Sequence, residues 1–83
     1  MKITQSEKNI LKNIDPKFKY IARDSNGDLN LYETKPIKSV TKGYWDNDTY
    51  YQINIFGKLF DFIKWECSFP YRITSLIRGD YCE

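Results

Sequence analysis

The chain has 83 residues, a formal net charge of +2 and no histidine. That length makes one domain with a thin core. The charge is too small for a dedicated nucleic-acid binder and of the wrong sign for an acidic DNA mimic, and the lack of histidine excludes His-based triads, dyads and histidine metal sites.

The first predicted element is a short helix over about residues 5–14. Thr4-Gln5-Ser6-Glu7 matches a capping box, with Thr4 as N-cap and Glu7 reaching back. Ile10, Leu11 and Ile14 then form an apolar stripe at helical spacing, and Pro16 ends the helix by forcing Asp15 out of the α region. A β-hairpin follows. Tyr20, Ile21 and Ala22 run into Ser25-Asn26-Gly27-Asp28, and Leu29, Leu31 and Tyr32 return. Asn-Gly suits a two-residue hairpin loop because both residues tolerate positive φ. With Asn26-Gly27 central, Ala22 lies opposite Leu31 and Tyr20 opposite Glu33. Tyr20, Ala22, Leu29 and Leu31 then share the better core face, and Ile21, Arg23, Asn30 and Tyr32 share the other.

Lys35-Pro36 breaks the second strand. Ile37 to Trp45 reads as a third strand, and Trp45-Asp46-Asn47-Asp48-Thr49 as a polar turn. Tyr50 to Ile55 alternates as a fourth strand, with Tyr51, Ile53 and Ile55 on one face. Leu59 to Trp65 is apolar-rich and most simply a last strand, with a helical turn around Leu59 as the alternative. Ile73, Leu76 and Ile77 have the spacing of a short C-terminal helix, capped by Ser68 or Thr74 and ended by Gly79. The fold class is therefore α+β: a small antiparallel sheet of four to five strands, or a partly open barrel, with a short helix at each end.

Few constellations carry chemistry. The four glycines are isolated, so no phosphate loop is present. Nothing in the spacing of the eleven acids singles out a catalytic pair, and the chain is not read as an enzyme. Asp24 to Asp28 fails as a calcium loop, because Gly falls at position 4 and position 12 is Lys35. Cys67 and Cys82 flank the C-terminal helix. As a zinc site they would need carboxylates such as Glu66, Asp80 or Glu83, or a second protomer, and no cofactor is otherwise expected. No run of about 18 apolar residues spans a membrane. MKITQSEKN lacks the apolar core of a secretory signal, so the chain reads as cytoplasmic and its cysteines as reduced thiols by default. Residues 1–42 hold nine Lys/Arg and five Asp/Glu, a charge of +4, while residues 43–83 hold four and six, a charge of −2. Tyr32, Tyr44, Trp45 and Tyr50 beside Lys35, Lys38 and Lys42 offer a stacking surface for single-stranded nucleic acid.

Tyr20-Ile21-Ala22-Arg23-Asp24, Gly27-Asp28-Leu29, Tyr32-Glu33, Lys35-Pro36, Trp45 and the Ile63-Lys64-Trp65 element together resemble a class of small accessory proteins encoded by phages and prophages of Gram-positive bacteria. The resemblance covers residues 18–77 and describes a scaffold rather than an active site. It implies a protein that works by binding and blocking a host machine, such as an anti-CRISPR inhibitor of an RNA-guided nuclease in the host cytoplasm. The partner-binding candidates are Tyr44, Trp45, Tyr50 and Tyr71, taken as exposed rings, with Arg72 and Arg78 as anchors, because large rings and Arg dominate interface energetics. Nucleic-acid binding through the basic half is the alternative.

Overall fold

The structure is a computed structural model that describes residues 3–79. Helix α1 (Gln5–Lys12) leads into strands β1 (Tyr20–Arg23), β2 (Leu29–Tyr32), β3 (Ile37–Ser39), β4 (Tyr44–Asp46) and β5 (Tyr51–Gln52). A 3₁₀ turn (Asn54–Phe56), strand β6 (Tyr71–Arg72) and helix α2 (Ile73–Arg78) complete the order. Four strands make one antiparallel sheet in the order β5-β2-β1-β6, and β3-β4 form a separate two-stranded hairpin. The fold is α+β, and the sheet is not closed into a barrel.

Helix α1 starts as its sequence dictates. The Glu7 amide donates to Thr4 Oγ1 at 3.1 Å, and the Thr4 amide donates to Glu7 Oε1 at 2.9 Å. The expected stripe is inward-facing, with Leu11 buried and Ile10 and Ile14 packed against the core. At the far end, α2 closes on Gly79 in the left-handed region at φ 78°. Its N-cap is Arg72, without a side-chain cap, rather than Ser68 or Thr74.

The β1-β2 register differs from the expected one by a single position. Tyr20 pairs with Tyr32, Ala22 with Asn30 and Arg23 with Leu29. The loop is not a two-residue turn. The Gly27 amide donates to Asp24 O at 3.0 Å and the Asp24 amide to Asp28 O at 2.9 Å. Gly27 alone takes positive φ, at 94°, which is the arrangement of a three-residue loop ending in a glycine bulge. One extra residue exchanges the faces of one strand against the other. Ile21, Leu29 and Leu31 therefore face the helices, in a cluster with Leu11, Phe60, Ile63, Ile73 and Leu76. Ala22 and Tyr32 face the other way, in a second cluster with Trp45 against Tyr20 and Trp65. The sheet is buried on both faces, and all four β2 residues are buried.

Three strand expectations fail in instructive ways. Ile37 to Trp45 is a hairpin, because Gly43 at φ 79° turns the chain and its amide donates back to Ser39 O at 2.8 Å. Trp45 belongs to β4 and not to the turn after it. Tyr50 to Ile55 keeps only two strand residues. The Asn54 side chain accepts from the Leu29 amide at 2.9 Å, the ladder ends there, and Ile55 is left 88% exposed while Ile53 is buried. Leu59 to Trp65 is no strand at all. Arg23 and Glu7 hold its backbone: the Phe60 amide donates to Glu7 Oε2 at 2.6 Å, and Phe60 sits at φ 59°. The last strand of the sheet is β6 instead, which pairs Tyr71 with Ile21.

Candidate functional site

An open groove of about 680 Å³ lies where three turns meet. The β1-β2 loop supplies Asp24, Ser25, Asn26 and Asp28. The β3-β4 hairpin supplies Lys42 to Asp46, and the segment before β5 supplies Asn47, Asp48 and Tyr50. Backbone bonds hold the turns together. Ser25 donates from its amide to Gly43 O at 3.0 Å and from its hydroxyl to the same oxygen at 2.7 Å. A Cβ on Gly43 would lie 2.6 Å from Ser25 Oγ, so a larger residue would displace that hydroxyl from its bond as well as strain the positive φ.

Asp24 joins the walls. Its Oδ1 accepts from the Trp45 amide at 2.9 Å and its Oδ2 from Asn30 Nδ2 at 3.0 Å. The Trp45 indole returns a bond to Arg23 O at 3.2 Å. Burial pushes the Asp24 carboxyl above the ordinary carboxylate range, and the Asp28 charge pushes in the same direction. The Trp45 and Asn30 bonds pull back only in part. Asp28 is gripped by neutral amides: Oδ2 accepts from Gln52 Nε2 at 2.9 Å and from Asn26 Nδ2 at 3.1 Å, and Oδ1 accepts from Asn54 Nδ2 at 2.8 Å. Asp46 and Asp48 are exposed. Four aspartates and a single lysine therefore line the groove, so a chain of net charge +2 carries a locally negative hollow. Burial also drives the Tyr32 phenol well above its ordinary range.

The sequence-based candidates separate here. Tyr44, Trp45 and Tyr50 meet in the groove. Tyr50 is 64% exposed, but Trp45 is only 5% exposed. Its ring packs edge-on to Trp65 at 6.4 Å between centroids, and Lys38 Nζ lies over both rings. Trp45 is therefore wall structure and not an exposed contact. Tyr71, at 7% exposure, is corrected in the same way: its ring stacks edge-on to Phe62 at 5.5 Å. Arg72 is exposed and sits with Tyr71 in a different notch, where Nη2 donates to the Tyr20 hydroxyl at 3.1 Å. Arg78 ends α2, away from the groove lining.

Cys67 is half-buried, with Sγ 3.7 Å from Phe62 O and from the Tyr71 hydroxyl. Cys82, Asp80 and Glu83, which the zinc expectation needs, lie outside the described residues. Among the described residues no three Cys, Asp or Glu side chains are grouped to hold a metal ion, the groove aspartates included. The nucleic-acid surface also changes. Tyr32 is fully buried, and Lys38 donates to Trp65 O and, at 2.9 Å, to Cys67 O. The acidic character of the groove was missed because Asp24 and Asp28, and Asp46 and Asp48, each read as ordinary turn chemistry. The sequence signal was two acidic turns; their meeting is a product of topology. No helix among the described residues is long and apolar enough to cross a membrane.

Comparison with known proteins finds no matching family model, no significantly similar curated protein and no similar solved structure.

Proposed function

We propose that this protein is a phage-derived inhibitor of a host defence nuclease, of the anti-CRISPR type, which acts in the host cytoplasm by stoichiometric protein–protein binding and without turnover. The observation that carries this reading is the acidic groove rimmed by exposed Tyr44 and Tyr50. A nuclease that holds nucleic acid must present Lys and Arg to phosphates, so its working surface is basic. A small domain with a negative hollow and tyrosine edges is complementary to such a surface in charge and in contact chemistry. The β3-β4 hairpin, which supplies part of the groove wall, also leaves Ile37 and Val40 exposed.

The signature residues that resemble phage accessory proteins support the reading indirectly. Ile21, Ala22 and Leu29 are core, Arg23 holds the 57–63 segment, and Asp24 and Trp45 bond the groove walls together. They are what a binding surface needs beneath it. The nucleic-acid alternative has weaker support, because two of its proposed stacking rings are buried and the lysine nearest them is held by backbone carbonyls.

The test is reconstitution. A guide-loaded RNA-guided nuclease mixed with equimolar protein is expected to co-elute with it in gel filtration and to lose target cleavage. The candidate nuclease comes from a pull-down in a bacterial host lysate. Cleavage that persists at large molar excess of the protein, for every effector so recovered, refutes the reading.

A further inference from the structure

The groove has a second feature that its acidity does not explain. Asn30, on β2 at its floor, is only 4% exposed. Its Nδ2 donates to Asp24 Oδ2 at 3.0 Å and to the Tyr32 hydroxyl at 3.4 Å. Its Oδ1 is, among the described residues, the one buried side-chain oxygen or nitrogen with no hydrogen-bond partner. A buried acceptor left unpaired is unfavourable by the desolvation it suffers, and such a group in a folded protein calls for a donor. The donor that suits this place is cationic, because four aspartates and a single lysine line the groove and Asp24 and Asp28 are bonded only to neutral amides in the contacts given above.

We propose that the groove is the docking site for an arginine side chain on a basic loop of the partner, with Asp46 and Asp48 gripping the guanidinium at the rim and Asn30 Oδ1 accepting from it at the floor. The proposal rests on the protein-binding reading above and names the chemistry of the partner. Arginine fits better than lysine. A guanidinium offers five N–H donors in one plane, enough for two carboxylates and an amide oxygen together, and it is less strongly hydrated than an ammonium. Its flat face can also stack on the ring faces of Tyr44 and Tyr50 at the rim. Lys42, whose Nζ lies 5.9 Å from the centre of the Tyr44 ring, is a cation already at this rim and competes with the incoming one.

The experiment is an NMR titration of the ¹⁵N-labelled protein with an arginine-containing tetrapeptide, its lysine analogue, calcium chloride and magnesium chloride in separate arms. Saturable shifts are expected at the Asn30 side-chain amide, the Trp45 amide and indole, and residues 44–50, with the arginine peptide binding more tightly than the lysine one. Asp46→Asn with Asp48→Asn should weaken the arginine peptide about three- to tenfold, as the loss of two exposed charge contacts implies. Both side chains are exposed and neither has a hydrogen bond among those described, so the double variant keeps the fold, and its amide spectrum checks this. Lys42→Ala should tighten binding. Shifts spread over remote acids such as Asp15 and Asp61 without saturation overturn the proposal, as do an unchanged affinity in the double variant and a metal arm that saturates the same residues alone. The two readings fail separately. Inhibition of a nuclease that is indifferent to the double variant sinks this proposal and keeps the inhibitor. A groove that binds the arginine peptide in a protein that blocks no nuclease does the reverse.

Discussion

Asp24 is the residue on which the groove turns, since it bonds the β4 backbone on one side and Asn30 on the other. Its carboxyl is raised, chiefly by desolvation, so the folded state holds the Asp24 proton more firmly than the unfolded chain does. The charged form therefore weakens the fold above the folded-state pKa. That penalty is relieved as pH falls through the folded value toward the unfolded one. Asp24→Asn removes the charge and keeps an oxygen for the Trp45 amide. Its new amide also offers a donor to Asn30 Oδ1, which the Asn30 side chain can accept after rotating its amide. Asp24→Asn is thus expected to change stability at neutral pH by less than about 1 kcal/mol, whereas Asp24→Ala, which strands the Trp45 amide, should lose about 1–3 kcal/mol. Urea melts at neutral pH and near pH 4 measure both. The wild type should lose less stability on acidification than the Asn variant does. If Asn proves as damaging as Ala, the account of Asp24 is wrong.

At the level of elements, the segment from Gly57 to Ile63 shows how a strand-like sequence is kept out of a sheet. Arg23 places all its guanidinium N–H groups on backbone carbonyls. Nε donates to Ile63 O at 2.8 Å, Nη1 to Gly27 O at 2.9 Å and Gly57 O at 3.1 Å, and Nη2 to Leu59 O at 2.9 Å and Phe60 O at 3.4 Å. Those bonds satisfy carbonyls of the segment that no neighbouring strand reaches. Lysine offers three donors from a single atom and cannot span that set. Arg23→Lys should lower stability by roughly 2–4 kcal/mol and speed amide exchange first in residues 57–63, before β1 and β2 open. Uniform exchange across the sheet would contradict this role. The same contrast explains what the sequence made legible. The capping box of α1 and the Gly79 stop of α2 are local, so they could be read directly. The hairpin was legible as a hairpin, but its register was not, because Asn26-Gly27 serves a two-residue or a three-residue loop and only packing on both faces decides. Leu59 to Trp65 was illegible because its partners, Arg23 and Glu7, lie more than thirty positions away in sequence. For the candidate site, Tyr44 and Tyr50 were named but Trp45 was taken for an exposed ring. A large ring beside a turn does not reveal whether it covers the sheet or faces solvent.

Across the whole molecule, charge is distributed against the net value. The chain is +2, yet its main hollow is negative, so a partner meets a field that depends on the direction of approach. A basic surface is drawn toward the groove and away from the lysines elsewhere. Such steering acts on encounter more than on residence. Raising salt from about 50 to about 200 mM shortens the screening length from roughly 14 to roughly 7 Å, which shields the exposed Asp46 and Asp48 but affects the packed tyrosine contacts much less. The association rate with a captured nuclease is therefore expected to fall several-fold over that range while the dissociation rate changes little, both read by surface plasmon resonance. Asp46→Lys with Asp48→Lys should slow association further and reverse its salt trend, so that added salt speeds it. Direct binding of nucleic acid behaves differently: its equilibrium affinity falls as a power of salt set by the number of phosphates contacted, and the charge-reversed variant would bind more tightly. A dissociation rate that carries most of the salt effect, with association unmoved, would place the contact outside the groove.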